Sequence, residues 1–475
     1  VMGYDLAVEH SSFKIIIPED ESFRYDETNI KEGVKIWKKD NNEVYYWKVS
    51  NIPAIEKEDY SPYLFEFTPV VYTAPNSFKI EGYKGNMESW KEFGLWVNQL
   101  NKGRDILTEK TKIELDSLVA GKTDKHEITR VVYNYLQSRT RYVSIQEGIG
   151  GWQPFPAEVV DRIGYGDCKA LTNYTYALLK HVGVKSYYTK VRAGRNAPNF
   201  RKDFVSNQSN HVFLCVPIDT DTIWLECTSQ TNPFGYIGCF TDDRDVVVIT
   251  ENGGKIVHSK VYPQEKNTQV CIAQVAFNGE NTCTAKVSII YSGLQYSNVS
   301  GILNESFEDQ EKWLYKTIDL TNFNITQFSF DHISEDGPKA RLQFNIDIKS
   351  YGSCTGKRIF LPLNLLNRLD YVPPINSDRK TNVVLNFPFV DIDSIRFVLP
   401  EGYAIESLPE NFEYKTIFGE YKADIEVHDR NVIYVRKRKM NKGVFPAESY
   451  DKLRMFYKNV SKADKTKLVL VSFQQ

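Results

Sequence analysis

The hydrophobic period of this 475-residue chain changes twice, and that limits the fold more than any single motif. Residues 1–85 read as β. Phe13-Lys14-Ile15-Ile16-Ile17 and Val44-Tyr45-Tyr46-Trp47-Lys48-Val49 are rich in β-branched and aromatic residues, and Pro18, Pro53 and Pro62 punctuate them. Near residue 86 the spacing turns helical. Trp90, Phe93, Val97 and Leu100 recur at helical intervals, and Ile128, Val131, Val132, Tyr135 and Leu136 predict an amphipathic helix over 125–139. A third helix starts at Cys168, carries Leu171, Tyr174, Leu178 and Val182 on one face, and stops at Gly183. Strand-like runs follow at 186–191, 211–216, 223–226 and 245–250. Helices followed by antiparallel strands make an α+β unit.

From about residue 255 the pattern is mostly β again. Runs at 270–277 and 284–291 flank Asn278-Gly279, a hairpin signal, and one helix is expected around 307–318. Pro373-Pro374, in a polar stretch to Asn382, reads as a linker, and runs at 395–399, 432–435 and 468–471 read as strands of a terminal module. The expected organisation has four parts: an N-terminal β domain over 1–85, an α+β core over 86–254, a β-rich middle domain with one helix over 255–378, and a C-terminal β-sandwich-like domain over 379–475.

Composition excludes several classes. A net charge of −2 gives no global attraction to nucleic acid or anionic membrane. No apolar run reaches the ~20 residues that span a bilayer. Aromatics make up 13% of the chain, which fits its strand content. Seven cysteines (168, 215, 227, 239, 271, 283 and 354) are too few for a disulfide scaffold, and none forms a CxxC pair, so neither a structural zinc nor another cofactor is expected. The chain starts at Val1 without an initiator Met or an apolar leader, as a processed or trimmed product does.

Gly164-Tyr165-Gly166-Asp167-Cys168-Lys169 places a cysteine after a Gly-rich, Asp-containing turn at a helix start, where the helix dipole favours a thiolate. His181 is the nearest histidine, but thirteen residues along the same helix put it ~20 Å away. His211, opening a strand, is the better partner, and Glu226, ending the next strand, is the candidate acid. An even-numbered hairpin loop puts His211 and Glu226 on one face of the sheet. A loop centred on Ile218–Asp219 sets them directly opposite; one centred on Thr220–Asp221 leaves them four residues apart. A thiolate, a base that shares its proton and an acid that fixes the imidazole tautomer are the parts that attack on an amide carbonyl requires. The Cys168 N–H and the Gln153 carboxamide are candidate oxyanion donors.

Three other features have plainer readings. Arg436-Lys437-Arg438-Lys439 is expected to be a solvated or edge-protecting run. Asp242-Asp243-Arg244-Asp245 is expected to be a surface turn with local ion pairs rather than a cation site. Parity sets Cys215 and Cys227 on opposite faces of the sheet, and Cys271 and Cys283 flank their turn asymmetrically, so neither pair is an expected disulfide.

Tyr165-Gly166-Asp167-Cys168-Lys169-Ala170-Leu171, Asn210-His211-Val212 and Trp224-Leu225-Glu226-Cys227-Thr228 resemble the transglutaminase-like superfamily. Arg141-Tyr142-Val143 and Gly148-Ile149-Gly150-Gly151-Trp152-Gln153-Pro154 resemble a bacterial branch of it, in which the core sits between N- and C-terminal β domains of unknown function. The resemblance implies a papain-like cysteine fold and catalysis by Cys168, His211 and Glu226. It also implies an exported bacterial protein, periplasmic or associated with the cell envelope. The substrate would be a peptide, protein or cell-wall amide. The superfamily usually has Asp where this chain has Glu226. The alternative is a non-catalytic scaffold that reuses the core, which predicts an occluded or misregistered site.

Overall fold

The computed structural model describes residues 3–279, 282–333 and 337–473. The chain forms two compact units. One is Val1–Lys57 with Pro62–Val261, and the other is Glu58–Ser61 with Tyr262–Gln475.

The first unit opens with a three-stranded antiparallel sheet, Asn42–Ile52 lying between Val8–Pro18 and Lys35–Lys39. Trp47 is buried on it and stacks on Phe13 at 5.6 Å between ring centroids. Strand Phe23–Thr28 pairs separately with Val70–Pro75.

The helical stretch then begins at Trp90–Asn101, capped by Ser89, whose hydroxyl accepts from the Glu92 N–H. The Lys125–Arg139 helix has the predicted bounds, with the Asp124 carboxylate accepting from two first-turn N–H groups. The Cys168–His181 helix lies over a five-stranded sheet, antiparallel throughout, in the order Asp221–Leu225, His211–Ile218, Tyr187–Val191, Asp245–Thr250, Gly253–His258. Two apolar clusters hold these layers. Leu136, Leu171, Tyr174, Leu178, Leu214 and Leu225 belong to one. Phe93, Trp96, Cys168, Tyr188, Val212 and Val247 belong to the other, so the reactive-cysteine candidate sits at the seam between helices and sheet.

The second unit departs from the expected division at residue 378. One eight-stranded sheet runs Phe323–His332, Lys339–Lys349, Thr282–Ser292, Thr268–Gly279, Phe389–Val398, Asn431–Met440, Gly419–His428, Phe412–Thr416. Its centre is a parallel pairing of Thr268–Gly279 with Phe389–Val398, so the expected middle and C-terminal domains share a sheet. Such pairing joins segments more than a hundred residues apart and leaves no local sequence signal. The expected hairpin forms, with Asn278 and Gly279 inside its first strand; residues 280 and 281 lie outside the described residues. Cys271 faces Ile289 and Cys283 faces Phe277.

Two further expectations for this unit need correction. Residues 450–464 are an α-helix, not part of an all-strand module. Tyr450, Leu453, Phe456, Val460 and Ala463 are its buried side, a helical spacing that was present in the sequence. Arg436 is not solvated: it is fully buried on a central strand. Its Nε and Nη2 donate to Asp464 at 2.8 and 3.1 Å and its Nη1 to Asp393 at 2.7 Å. Two carboxylates answer one guanidinium, and Tyr421 and Asn364 donate to Asp464 as well.

Candidate active site

The segment before Cys168 is shaped by its glycines and its aspartate. Gly164 ends the Ala157–Ile163 helix at φ 69°, a left-handed conformation that costs glycine little. Gly166 packs so closely that a Cβ there would lie 2.7 Å from the Ala170 Cβ. Tyr165–Gly166 pairs in parallel with Arg141–Tyr142, anchoring the turn. Asp167 is the N-cap. One carboxylate oxygen accepts from the Ala170 N–H at 2.9 Å, and the other pairs with the buried Lys169 ammonium. Cys168 is thereby the first residue of its helix, at the positive end of the dipole.

Hairpin register brings the other two candidates together. Leu214 faces Leu225 and Ile218 faces Asp221, so the loop is Asp219–Thr220, with Asp219 at φ 50°. This register falls between the two alternatives above. Glu226 continues it opposite Phe213, two residues off His211, a diagonal that a long side chain can span. The Glu226 carboxylate does so: both its oxygens lie 3.0 Å from His211 Nε2. Cys168 acts electrostatically on the same imidazole and favours its charged form. His211 is thus bonded to Glu226 and electrostatically coupled to Cys168. His181 lies apart, on Asp116 at 2.8 Å.

The electrostatics follow from burial and pairing. Burial alone would pull the His211 imidazole down, but the Glu226 carboxylate and the Cys168 contact outweigh it and hold it up to about 10. Burial pushes the Glu226 carboxyl up, yet His211 and two hydrogen bonds from Thr228 bring it below the usual range. The Thr228 hydroxyl donates to Oε1 at 2.6 Å and its N–H at 3.3 Å. Tyr133, fully buried, donates to the Glu226 carbonyl at 3.0 Å. The Phe240 ring covers the imidazole at 5.2 Å. Thr228 lay within the motif; nothing local marked Tyr133 or Phe240.

Gln153 is placed differently from expectation. Its side-chain N–H groups donate to the Leu100 carbonyl at 2.9 Å and the Tyr83 hydroxyl at 3.1 Å. Both donors are engaged in fixing the Trp90–Asn101 helix end, so Gln153 has none free for an oxyanion in this conformation. The Cys168 N–H stays uncommitted by the Asp167 cap.

The acidic run is not a surface turn. Asp242, Arg244 and Asp245 are buried. The Arg244 guanidinium donates to the carbonyls of Asp242, Arg192 and Gly194, and His258 bridges Asp243 and Asp245 at 2.9 and 3.0 Å. No metal-ligand cluster occurs among the described residues. All seven cysteines carry free thiols in this structure, and no helix among the described residues is long and apolar enough to cross a membrane.

Three comparisons bear on this arrangement. The family DUF3858, a domain of unknown function with a solved structure, matches residues 357–470. A search of curated proteins returns no match. Among solved structures, a candidate protease from Parabacteroides distasonis is similar over 98% of this chain and 73% of its own, at 13% identity and a TM-score of 0.59. A candidate cysteine protease from Cytophaga hutchinsonii covers 53% of this chain and 83% of its own at 10% identity, with a TM-score of 0.22, too low to carry an argument. The chain is a mixed α+β protein that shares its fold with the first of these.

Proposed function

We propose that this chain is a transglutaminase-like cysteine hydrolase that cleaves an amide or peptide bond. The observation that carries the reading is the buried His211–Glu226 pair, coupled to a cysteine at the first residue of its helix. The Cys168 thiolate attacks the amide carbonyl carbon, and the electron pair of the C=O bond moves to oxygen. The Cys168 N–H, at the helix N-terminus, donates to that oxyanion. As the oxyanion collapses, the C–N bond breaks and the His211 imidazolium gives its proton to the leaving amine. The resulting thioester is attacked by water, whose proton returns to the neutral imidazole. Collapse of that second intermediate releases a carboxylic acid and restores the thiolate–imidazolium pair. Glu226 holds the imidazole orientation and offsets its charge in each step.

The fold likeness to a candidate protease supports hydrolysis over cross-linking, and the substrate class is a peptide or protein, with cell-wall amides included. Export to the bacterial envelope belongs to the proposal through the superfamily resemblance. The parent and Cys168→Ala, assayed on peptide, protein-glutamine and cell-wall amides, test it. Release of an amine by the parent, lost in Cys168→Ala, is expected; equal residual release by both overturns it. One observation favours the scaffold reading: Cys168 is only 4% exposed. That reading predicts no turnover on any of these amides and no modification of Cys168 by a small alkylating reagent.

A further inference from the structure

Lys190 takes no part in the chemistry above, yet it is buried in the same site. It lies on the Tyr187–Val191 strand, directly paired with Val212 on one neighbour and Val247 on the other. Both valines belong to the apolar cluster that contains Cys168 and Phe93. Side chains alternate along a strand, so Lys190 shares the face of Tyr188, a third member of that cluster. The ammonium sits 5.8 Å from the centroid of the Phe93 ring, and the residue is 7% exposed.

The charges of the site pair off with one cation left over. Lys169 answers Asp167, and His211 answers Glu226. No carboxylate among the described residues acts on Lys190; the groups that do are Cys168 and Lys169. A largely buried cation is stabilised by a nearby anion. Cys168, in the apolar cluster against which Lys190 packs, is the acidic group that acts on it.

We propose that Lys190 is the second cation of the Cys168 site. Its ammonium stabilises negative charge on the sulfur at rest and on the carbonyl oxygen in the tetrahedral intermediate. This rests on the cysteine-hydrolase reading and deepens it: the role sought in Gln153 falls to a lysine on the sheet floor. The neighbouring Tyr188 hydroxyl, also buried, is neutral and supplies no such charge.

Burial pulls the Lys190 ammonium down to about 8, with Cys168 opposing and Lys169 adding to the fall. The charge is therefore present at neutral pH and lost as pH rises through that value. The test is alkylation of Cys168 by iodoacetamide at about pH 6, where an ordinary thiol is protonated, with His211→Ala in the same series. Lys190→Met should slow alkylation about tenfold or more, and Lys190→Arg should keep most of the rate. On a cleaved amide, Lys190→Met should lower kcat with KM little changed. Lys190→Arg, which preserves both charge and size class, should move the basic limb of kcat upward from about pH 8, so the proposal remains testable if Lys190→Met fails to fold. A parental alkylation rate in Lys190→Met, an effect confined to KM, or a basic limb unmoved in Lys190→Arg overturns the role. If His211→Ala slows alkylation and Lys190→Met does not, only the Lys190 role fails; if neither does, the hydrolase reading fails with it.

Discussion

Replacing Glu226 by Gln removes the charge of a buried carboxylate while keeping its shape. Both carboxylate oxygens lie 3.0 Å from His211 Nε2, and both residues are buried. The imidazole stands at about 10 against an ordinary value of 6.5. Glu226 and Cys168 raise it against the opposing effect of burial, so the carboxylate favours the charged ring. Removing one partner of a buried ion pair costs about 3–5 kcal/mol, so about 3 kcal/mol is the expected loss for a neutral isostere. The pH dependence has a definite sign. The raised His211 contributes stability that is whole below 6.5, shrinks above it and is gone near 10. The lowered Glu226 contributes stability that is present above its ordinary 4.5 and is lost as pH falls through its folded value. Urea unfolding of parent and Glu226→Gln should therefore differ most between 4.5 and 6.5, and the difference should narrow steadily toward 10. A difference below about 1 kcal/mol across that window, or one that grows with pH, refutes the account of this pair.

Other perturbations follow from the same structure. Glu226→Asp shortens the reach across a two-residue diagonal, so kcat on a cleaved amide should fall about 10- to 100-fold; parental kcat would show that the diagonal does not require the longer side chain. Gly166→Ala drives a Cβ to 2.7 Å from the Ala170 Cβ and should cost about 1–3 kcal/mol in urea unfolding. An unchanged midpoint would mean that the turn before Cys168 yields without cost. Arg436→Met leaves Asp393 and Asp464 facing each other without a cation and should cost about 3–5 kcal/mol; a loss under about 1 kcal/mol would place the network's contribution elsewhere.

Much of the core was legible because its signals are local. The 125–139 helix has the predicted bounds since Asp124 caps it and Ile128, Val132, Tyr135 and Leu136 bury one stripe. The Gly164–Lys169 segment carries its own terminator, close-packing glycine and cap, so the start of the cysteine helix could be read directly. Hairpin register could not, because it depends on which two residues take the turn, and Asp219 at φ 50° decides it. Arg436 and Arg244 look like surface residues in any local window; only distant carboxylates and carbonyls explain their burial. Gln153 had the residue type of an oxyanion donor, but tertiary contacts to Leu100 and Tyr83 use it structurally. Lys190 carried no signal at all, since nothing in the run Tyr187–Val191 marks a lysine that will be buried.

The central claim is that Cys168 and His211 form an ion pair poised for nucleophilic attack. Its most direct measurement is the rate of Cys168 alkylation by iodoacetamide against pH, with the modified peptide identified by mass spectrometry. The account predicts rapid modification already at about pH 6, well below an ordinary thiol's ~8.5, and loss of that rate in His211→Ala. A Cys168 that reacts only as an ordinary thiol does, with a profile untouched by His211→Ala, would contradict it.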